Sequence, residues 1–315
     1  MNTLNNHLRY WYNEDKESIW RTSETDIASM SVGGCTRPTF SAKIEWRRNA
    51  QMIIDQYPDL TLFMSGGLDS EIAFRSFKAA GLKPRLVTIK FKDESNMYDI
   101  GPMMEMMKSE FNEKVEVIEF DPEEFCLSGE YLDIAEKYQS YTFYQQILMK
   151  VVEDFKEPMM SVDEVELEKK PTVDYNTGET TWGWVFLKKE DQDGVWRRFQ
   201  DKTGQVALNN FYTYTPEAML AFLNIPTASL LINDNFEYKY GWTSSKMRIY
   251  SEAGFKFRMR PKYHGMENYM HLWDYVEENR HLSLDSYTPV EYTIPTDLLK
   301  HNLEQGIETV CQHMS

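Results

Sequence analysis

LTLFMSGGLDSEIAFRSF, residues 60–77, is an apolar run that stops at two glycines, passes Asp69 between Ser65 and Ser70, and resumes with helical spacing. Residues 60–64 read as a buried strand. In the segment that follows, Phe74, Phe77 and Ala80 share one helical face before Gly81 closes it. Ser65, Gly66, Gly67, Leu68, Asp69 and Ser70 therefore lie between a strand and a helix N-terminus, where unpaired backbone N–H groups and the helix dipole favour an anion. The glycines let the backbone approach phosphate oxygens without a side chain in the way, and the serines add hydroxyl donors. Asp69 would repel a bare phosphate, so its presence implies a divalent cation, magnesium by preference, between carboxylate and phosphate. An ordinary capped strand-to-helix turn is the alternative. Yet five fixed positions recur by chance in a chain of this length only roughly once in a few thousand, from average usage. No GKS or GKT follows, so this is not a Walker loop.

Working outward, the same grammar repeats. AKIEWRRNAQMIIDQY has helical spacing at Ile44, Ala50, Ile53 and Ile54 and ends before Pro58. RLVTIKF (85–91) is a second strand, a helix runs from about Tyr98 to Phe111, and VEVIEF (115–120) is a third strand whose partial alternation suits a sheet edge. Helical segments fill 122–155, and MMSV (159–162) is a fourth strand. Strand and helix alternating in this way predict an α/β fold with a doubly wound parallel sheet, because each parallel return needs a crossover of about a dozen residues. Ligands in such sheets bind beyond the carboxyl ends of the strands, where the glycines fall. After 170, NTGET, DQDGV and DKTGQ place turn residues between strand-like stretches such as TWGWVFL and VWRRF, which predicts an inserted antiparallel β-meander. TPEAMLAFLN begins a helix with Thr215 as N-cap and Pro216 at the first helical position. The expected organisation is an irregular and helical approach over 1–58, the α/β core over 59–170, the meander over 171–212 and a helical region over 213–315 that completes the domain.

The chain has 315 residues, 17 Phe, 19 Tyr and 8 Trp, enough for a large packed core, and a net charge of −16. That charge opposes binding to a nucleic-acid backbone, which depends on Lys and Arg neutralising phosphates. No apolar run approaches the roughly 20 residues that span a bilayer, and the N-terminus lacks the features of a secretion signal, so a cytoplasmic location is expected. Cys35, Cys126 and Cys311 are few, odd in number and far apart, as reduced thiols are. The six histidines show no HxH or HExxH spacing, which argues against zinc.

SGGLDS behind LTLFM resembles the pyrophosphate-binding loop of the N-type ATP pyrophosphatase (PP-loop) superfamily, which includes asparagine, GMP, NAD and argininosuccinate synthetases and tRNA-modifying ligases. The resemblance covers about residues 60–165 and is nearest the synthetase domain of asparagine synthetase. It implies an adenine nucleotide alpha-hydrolase-like (HUP) fold that binds ATP and magnesium. An acceptor oxygen attacks the α-phosphate, pyrophosphate leaves, and a nitrogen or sulfur nucleophile resolves the adenylate. It further implies that adenine lies against the end of the second strand, at Thr88, Ile89, Lys90 and Phe91. Acidic residues after the fourth strand help hold metal or reacting groups, here Asp163 or Glu164 in SVDEVELE, with Glu166 and Glu168 beyond. A late basic residue near the phosphates maps to Lys246 in SSKMRIY, followed by Arg248, Arg258, Arg260 and Lys262. The expected catalytic set is Asp69, Lys246 and Asp163, with Asp69, Asp163 and Glu164 as metal ligands.

The chain also departs from that pattern. Asn2 stands where glutamine-fed relatives carry a nucleophilic cysteine, and about 60 residues before the loop leave no room for a glutaminase domain. Ammonia is then free, supplied by a separate donor protein, or replaced by an amine. The paired cysteines of sulfur-transferring relatives are missing. The expectation is an AMP-forming ligase that adenylates a carboxylate or carbonyl on a small-molecule acceptor and transfers ammonia or an amine to it. The alternatives are a thiolation enzyme acting on a nucleotide or RNA, and a non-catalytic ATP-binding module.

Overall fold

The computed structural model describes residues 7–13, 18–23, 25–162, 165–173, 180–232, 241–257, 265–279 and 289–314. Asp163, Glu164 and the basic stretch 258–264 lie outside the described residues.

Where the sequence predicts an irregular approach, the structure has two antiparallel strands, β1 (Leu8–Tyr12) and β2 (Ile27–Val32), before helix α1 (Ala42–Gln56). The glycine loop joins β3 (Thr61–Phe63) to α2 (Leu68–Ala79), and β4 (Arg85–Phe91), α3 (Met97–Phe111) and β5 (Glu116–Phe120) follow within a residue or two of their predicted positions. Three helices come next: α4 (Pro122–Leu127), α5 (Glu130–Tyr138) and α6 (Phe143–Glu153). The Asp121 carboxylate caps α4 by accepting from the N–H groups of Glu123 and Glu124, with Pro122 at a position whose missing N–H costs nothing. Strand β6 (Met159–Met160) leads to a hairpin of β7 (Glu166–Val173) and β8 (Thr180–Lys189).

Here the prediction needs correcting. VWRRF is not a strand of the meander; it belongs to α7 (Glu190–Thr203), which feeds β9 (Ala207–Leu208) into the main sheet. Val195, Trp196 and Phe199 are all buried, a spacing of one and four that a helix can bury and an alternating strand cannot. Gly194, read as a turn glycine, sits inside the helix because the Arg198 guanidinium lies over it: an added Cβ would come within 2.9 Å of Arg198 Nη1. The chain then forms α8 (Pro216–Leu223), capped as predicted by the Thr215 hydroxyl accepting from the Ala218 N–H at 3.2 Å. Helices α9 (Pro226–Ile232) and α10 (Gly241–Glu252), a 3₁₀ turn (Met266–Tyr269), α11 (Met270–Asn279), β10 (Glu291–Pro295), α12 (Thr296–Gln305) and β11 (Thr309–Met314) complete it. The third strand beside β7 and β8 is β10, far along the chain, and β11 pairs with β2.

The protein is thus α/β, with a five-stranded parallel sheet of order β5-β4-β3-β6-β9 and two separate three-stranded antiparallel sheets among the described residues. Strand β5 lies at an edge, as its alternation predicts. Helices cover both faces of the parallel sheet, and the strands divide their side chains between them. Leu62, Met64, Leu86, Met160 and Leu208 enter one apolar cluster with Trp46, Phe74 and Met103. Phe63, Val87, Ile89, Phe91, Met159 and Ala207 enter a second with Phe125, Ile147, Phe199 and Leu272. Each large side chain sealed in this way contributes about 1.5–3 kcal/mol of burial, and the two-faced load explains why these strands read as continuous apolar runs. From β3 the chain winds outward through β4 to β5, then returns past β3 to β6 and β9. The winding direction reverses between β3 and β6, and the glycine loop leaves the carboxyl end of β3 at that point.

Candidate functional site

The end of β3 is tied to β4 before the chain turns. Met64 N–H donates to the Val87 carbonyl at 2.8 Å, and the buried Thr88 hydroxyl donates to the Met64 carbonyl at 2.6 Å. Gly66 then takes φ +84°, a conformation that side chains resist, and a Cβ there would lie 2.8 Å from backbone atoms of Asp99 in the first turn of α3. Gly67 is extended (φ −74°, ψ 165°) and starts α2 with no side chain capping it. The N–H groups of Leu68, Asp69 and Ser70 have no intrahelical acceptor, as the first turn of any helix dictates.

The serines brace this bend from within. Ser65 Oγ accepts from the Gly67 N–H at 3.3 Å and lies 3.2 Å from Ser70 Oγ, and the buried Ser70 hydroxyl donates to the Gly67 carbonyl at 3.0 Å. Expected as donors to a ligand, they hold the loop's own shape.

Asp69 is where distant parts of the chain meet. Lys246 Nζ donates to Asp69 Oδ2 at 2.8 Å, the Tyr250 hydroxyl donates to Oδ1, and the Tyr212 hydroxyl donates to the Asp69 carbonyl at 2.7 Å. Lys246 and Tyr250 are four residues apart on α10 and so share one face. The rings sit on a buried pedestal: Trp46 meets Tyr212 edge-on at 4.9 Å and Tyr250 at 5.8 Å between centroids. Burial, reinforced by the neighbouring Asp69 carboxylate, pushes the Tyr250 phenol well above its ordinary range, so it remains a donor at any pH the protein meets. The Asp69–Lys246 pair itself is only partly covered, with side-chain exposures of 22% and 11%.

The remaining predicted residues divide. Glu166 pairs with Lys189 at 3.3 Å and Glu168 with Lys170 at 3.5 Å, which places both acids on the hairpin sheet. Arg248 pairs with Glu252 at 2.9 Å. On β4, the Lys90 ammonium turns to Glu119 (2.9 Å) and Glu94 (3.3 Å) at the solvent-facing edge. The Ile89 carbonyl and Phe91 N–H are both taken by the Asn96 side chain at 2.9 Å. Of the three expected metal ligands only Asp69 is among the described residues, where no three His, Cys, Asp or Glu side chains converge as a metal site.

None of the cysteines is primed as a nucleophile. Burial pushes Cys35 up to about 12, Cys126 up to about 11, and Cys311 above its usual value. Among the residues the sequence reading missed, Tyr250 had a legible signal, its spacing of four from Lys246. Tyr212 and Asp99 had none, because each arrives by tertiary contact, whereas Asn96 reaches main-chain groups only five and seven residues before it. No family model, curated protein or solved structure significantly matches the chain.

Proposed function

We propose that the chain is an ATP-dependent, AMP-forming ligase of the PP-loop type with a HUP-like core. In this reading ATP binds at Ser65–Ser70, the oxygen of a carboxylate or carbonyl acceptor attacks the α-phosphate, and pyrophosphate departs. Ammonia or an amine then displaces AMP. One observation carries the reading: the SGGLDS bend lies at the reversal point of the parallel sheet, with an uncapped helix start on one side and Lys246 drawn onto Asp69 on the other.

Each part has a task. The N–H groups at the start of α2 would donate to the departing pyrophosphate, where its charge accumulates. The Lys246 ammonium, within reach of the same bend, adds a positive charge and is released toward phosphate as its bond to Asp69 yields. Tyr250 and Tyr212 hold Asp69 by its carboxylate and its carbonyl, which keeps the first turn of α2 fixed while Lys246 moves. Magnesium fits this donor set, since it takes one or two carboxylates and completes its shell with phosphate oxygens and water; Asp69 would hold it, and when bound it neutralises phosphate charge.

Thiolation is disfavoured by the raised thiols of all three cysteines. Phosphorus NMR of the protein with ATP, magnesium and pooled metabolites tests the proposal. AMP and pyrophosphate should appear together; ADP and phosphate would contradict the chemistry, and full activity of a triple Cys→Ser variant would remove the sulfur-transfer rival.

A further inference from the structure

Within β4 the stretch from Leu86 to Ile89 is buried, and Thr88 is its one polar residue. Valine would suit such a strand equally well, and a hydroxyl sealed there requires a partner. That partner is the Met64 carbonyl, just past the end of β3, at 2.6 Å.

The bond replaces a rung of the sheet. Arg85 N–H donates to the Leu60 carbonyl and Met64 N–H to the Val87 carbonyl. A regular parallel ladder would continue with Ile89 N–H on the Met64 carbonyl, but that carbonyl accepts from the Thr88 hydroxyl instead. Leu86 enters the first apolar cluster while Val87 and Ile89 enter the second, so Thr88 stands on the face of Leu86. Its hydroxyl therefore draws the carbonyl out of the ladder toward that face and holds it on the β4 side.

A held carbonyl also fixes the N–H across the same peptide bond. The 64–65 peptide is planar and trans, so the Ser65 N–H points opposite to the Met64 carbonyl, away from β4. The alternation along β3 agrees: Thr61 N–H donates to the Pro158 carbonyl on the β6 side, and Ser65 has the same parity. Strand β6 stops at Met160, and the next N–H, that of Ser161, already donates to the Leu208 carbonyl on β9. The Ser65 N–H thus emerges between the ends of β3 and β6, at the reversal point of the sheet, with no acceptor among the described residues. Because the hydroxyls of Ser65 and Ser70 are spent within the bend, main-chain donors of this kind are what the bend offers an anion.

We propose that Thr88 is a positioning residue for pyrophosphate: by holding the Met64 carbonyl it aims the Ser65 N–H into the reversal point, where that N–H donates to the anion beside those at the start of α2. Fixing the peptide plane beforehand spares the anion the cost of ordering it. This inference rests on the nucleotide reading above and adds to it a residue that touches no ligand.

Calorimetric titration of wild type, Thr88→Val and Thr88→Ser with inorganic pyrophosphate and magnesium tests it. Thr88→Val should bind about tenfold more weakly, the factor that one hydrogen bond to a charged group supplies, and Thr88→Ser, which keeps the hydroxyl, should bind as the wild type does. A folded Thr88→Val with undiminished affinity, however much stability it has lost, makes Thr88 merely structural and overturns the proposal; so does a Thr88→Ser as weak as Thr88→Val. If Thr88→Val does not fold, amide NMR of the wild-type protein decides. Pyrophosphate should move the Ser65 amide proton downfield together with those of Leu68, Asp69 and Ser70. Movement of those three with Ser65 unchanged sinks this inference alone. A wild-type protein that binds neither pyrophosphate nor ATP sinks it together with the ligase reading.

Discussion

Two helices in this molecule begin in the same way, with acidic residues just after a strand, and they do opposite things. At α2, Asp69 and Glu71 follow the glycine bend; at α7, Glu190, Asp191 and Asp193 follow β8. All three acids in the first turn of α7 are sealed inside. Asp193 accepts from Tyr10, Asn209 and the buried Lys188, Asp191 accepts from the N–H groups of Tyr141 and Thr142, and Glu190 accepts from Tyr12, Arg198 and the Val290 N–H. Through them the N-terminal sheet and the segment before β10 are locked to the core. At α2 Glu71 is similarly consumed by Arg75 at 2.7 Å, whereas Asp69 stays partly exposed beside an uncapped helix start. Acid at a helix start is a strut when its partners are dry and complete; beside glycines and an uncapped helix start it stays accessible, and there the proposed function places its chemistry.

That contrast can be broken by experiment. Asp69→Asn should lower AMP formation by about 10³-fold or more while the melting temperature moves by no more than a few degrees, because the loss falls on charge stabilisation rather than packing. Steady-state assay alongside calorimetry checks both halves, and a large drop in melting temperature would make Asp69 a strut too. Asp193→Ala should do the reverse. Removing the buried carboxylate that faces Lys188, Tyr10 and Asn209 costs about 3–5 kcal/mol, read from urea unfolding, with turnover per folded molecule unchanged. Tyr250→Phe keeps the ring against Trp46 and Tyr212 and removes only the hydroxyl, so turnover should fall about tenfold with stability altered by roughly 1 kcal/mol or less.

The smallest effect is a cancellation. Burial raises Asp191 to about 6, so the folded state holds its proton more tightly than the unfolded chain does. Stability from this group therefore falls as pH climbs from about 4 to 6. Burial lowers His7 to about 4, so the unfolded chain takes up that proton first, and stability from His7 falls as pH drops from 6.5 towards 4. Each amounts to about 3 kcal/mol at 1.36 kcal/mol per unit, with opposite slopes in overlapping windows. The two contributions should largely offset each other between pH 4 and 6, and His7→Gln should make stability decline more with rising pH than it does in the wild type. A variant curve with the same slope as the parent's would show that His7 ionises at its ordinary value.

The sequence revealed what local physics dictates. The strand–glycine–helix unit, β4 and the Thr215 cap follow from side-chain period and backbone stereochemistry within a few residues. Lys246 came from the resemblance. Helix α7 was misread because DQDG has the composition of a turn; its acids are spent on Tyr10, Tyr141 and Thr142, partners that no window of sequence contains. The same limit hid Tyr212, whose role exists only because its hydroxyl arrives beside the Asp69 carbonyl from far along the chain. It also hid β1 and β2, whose sheet is completed by β11, far along the chain.

That last pairing has a bearing on biosynthesis. As the chain leaves the ribosome, β2 emerges with a row of main-chain groups whose partner, β11, is made only after every other strand of the three sheets. Until then one side of β2 is an open edge, the kind of surface on which nascent chains stick to one another, and its closure waits on the synthesis of everything between the two strands.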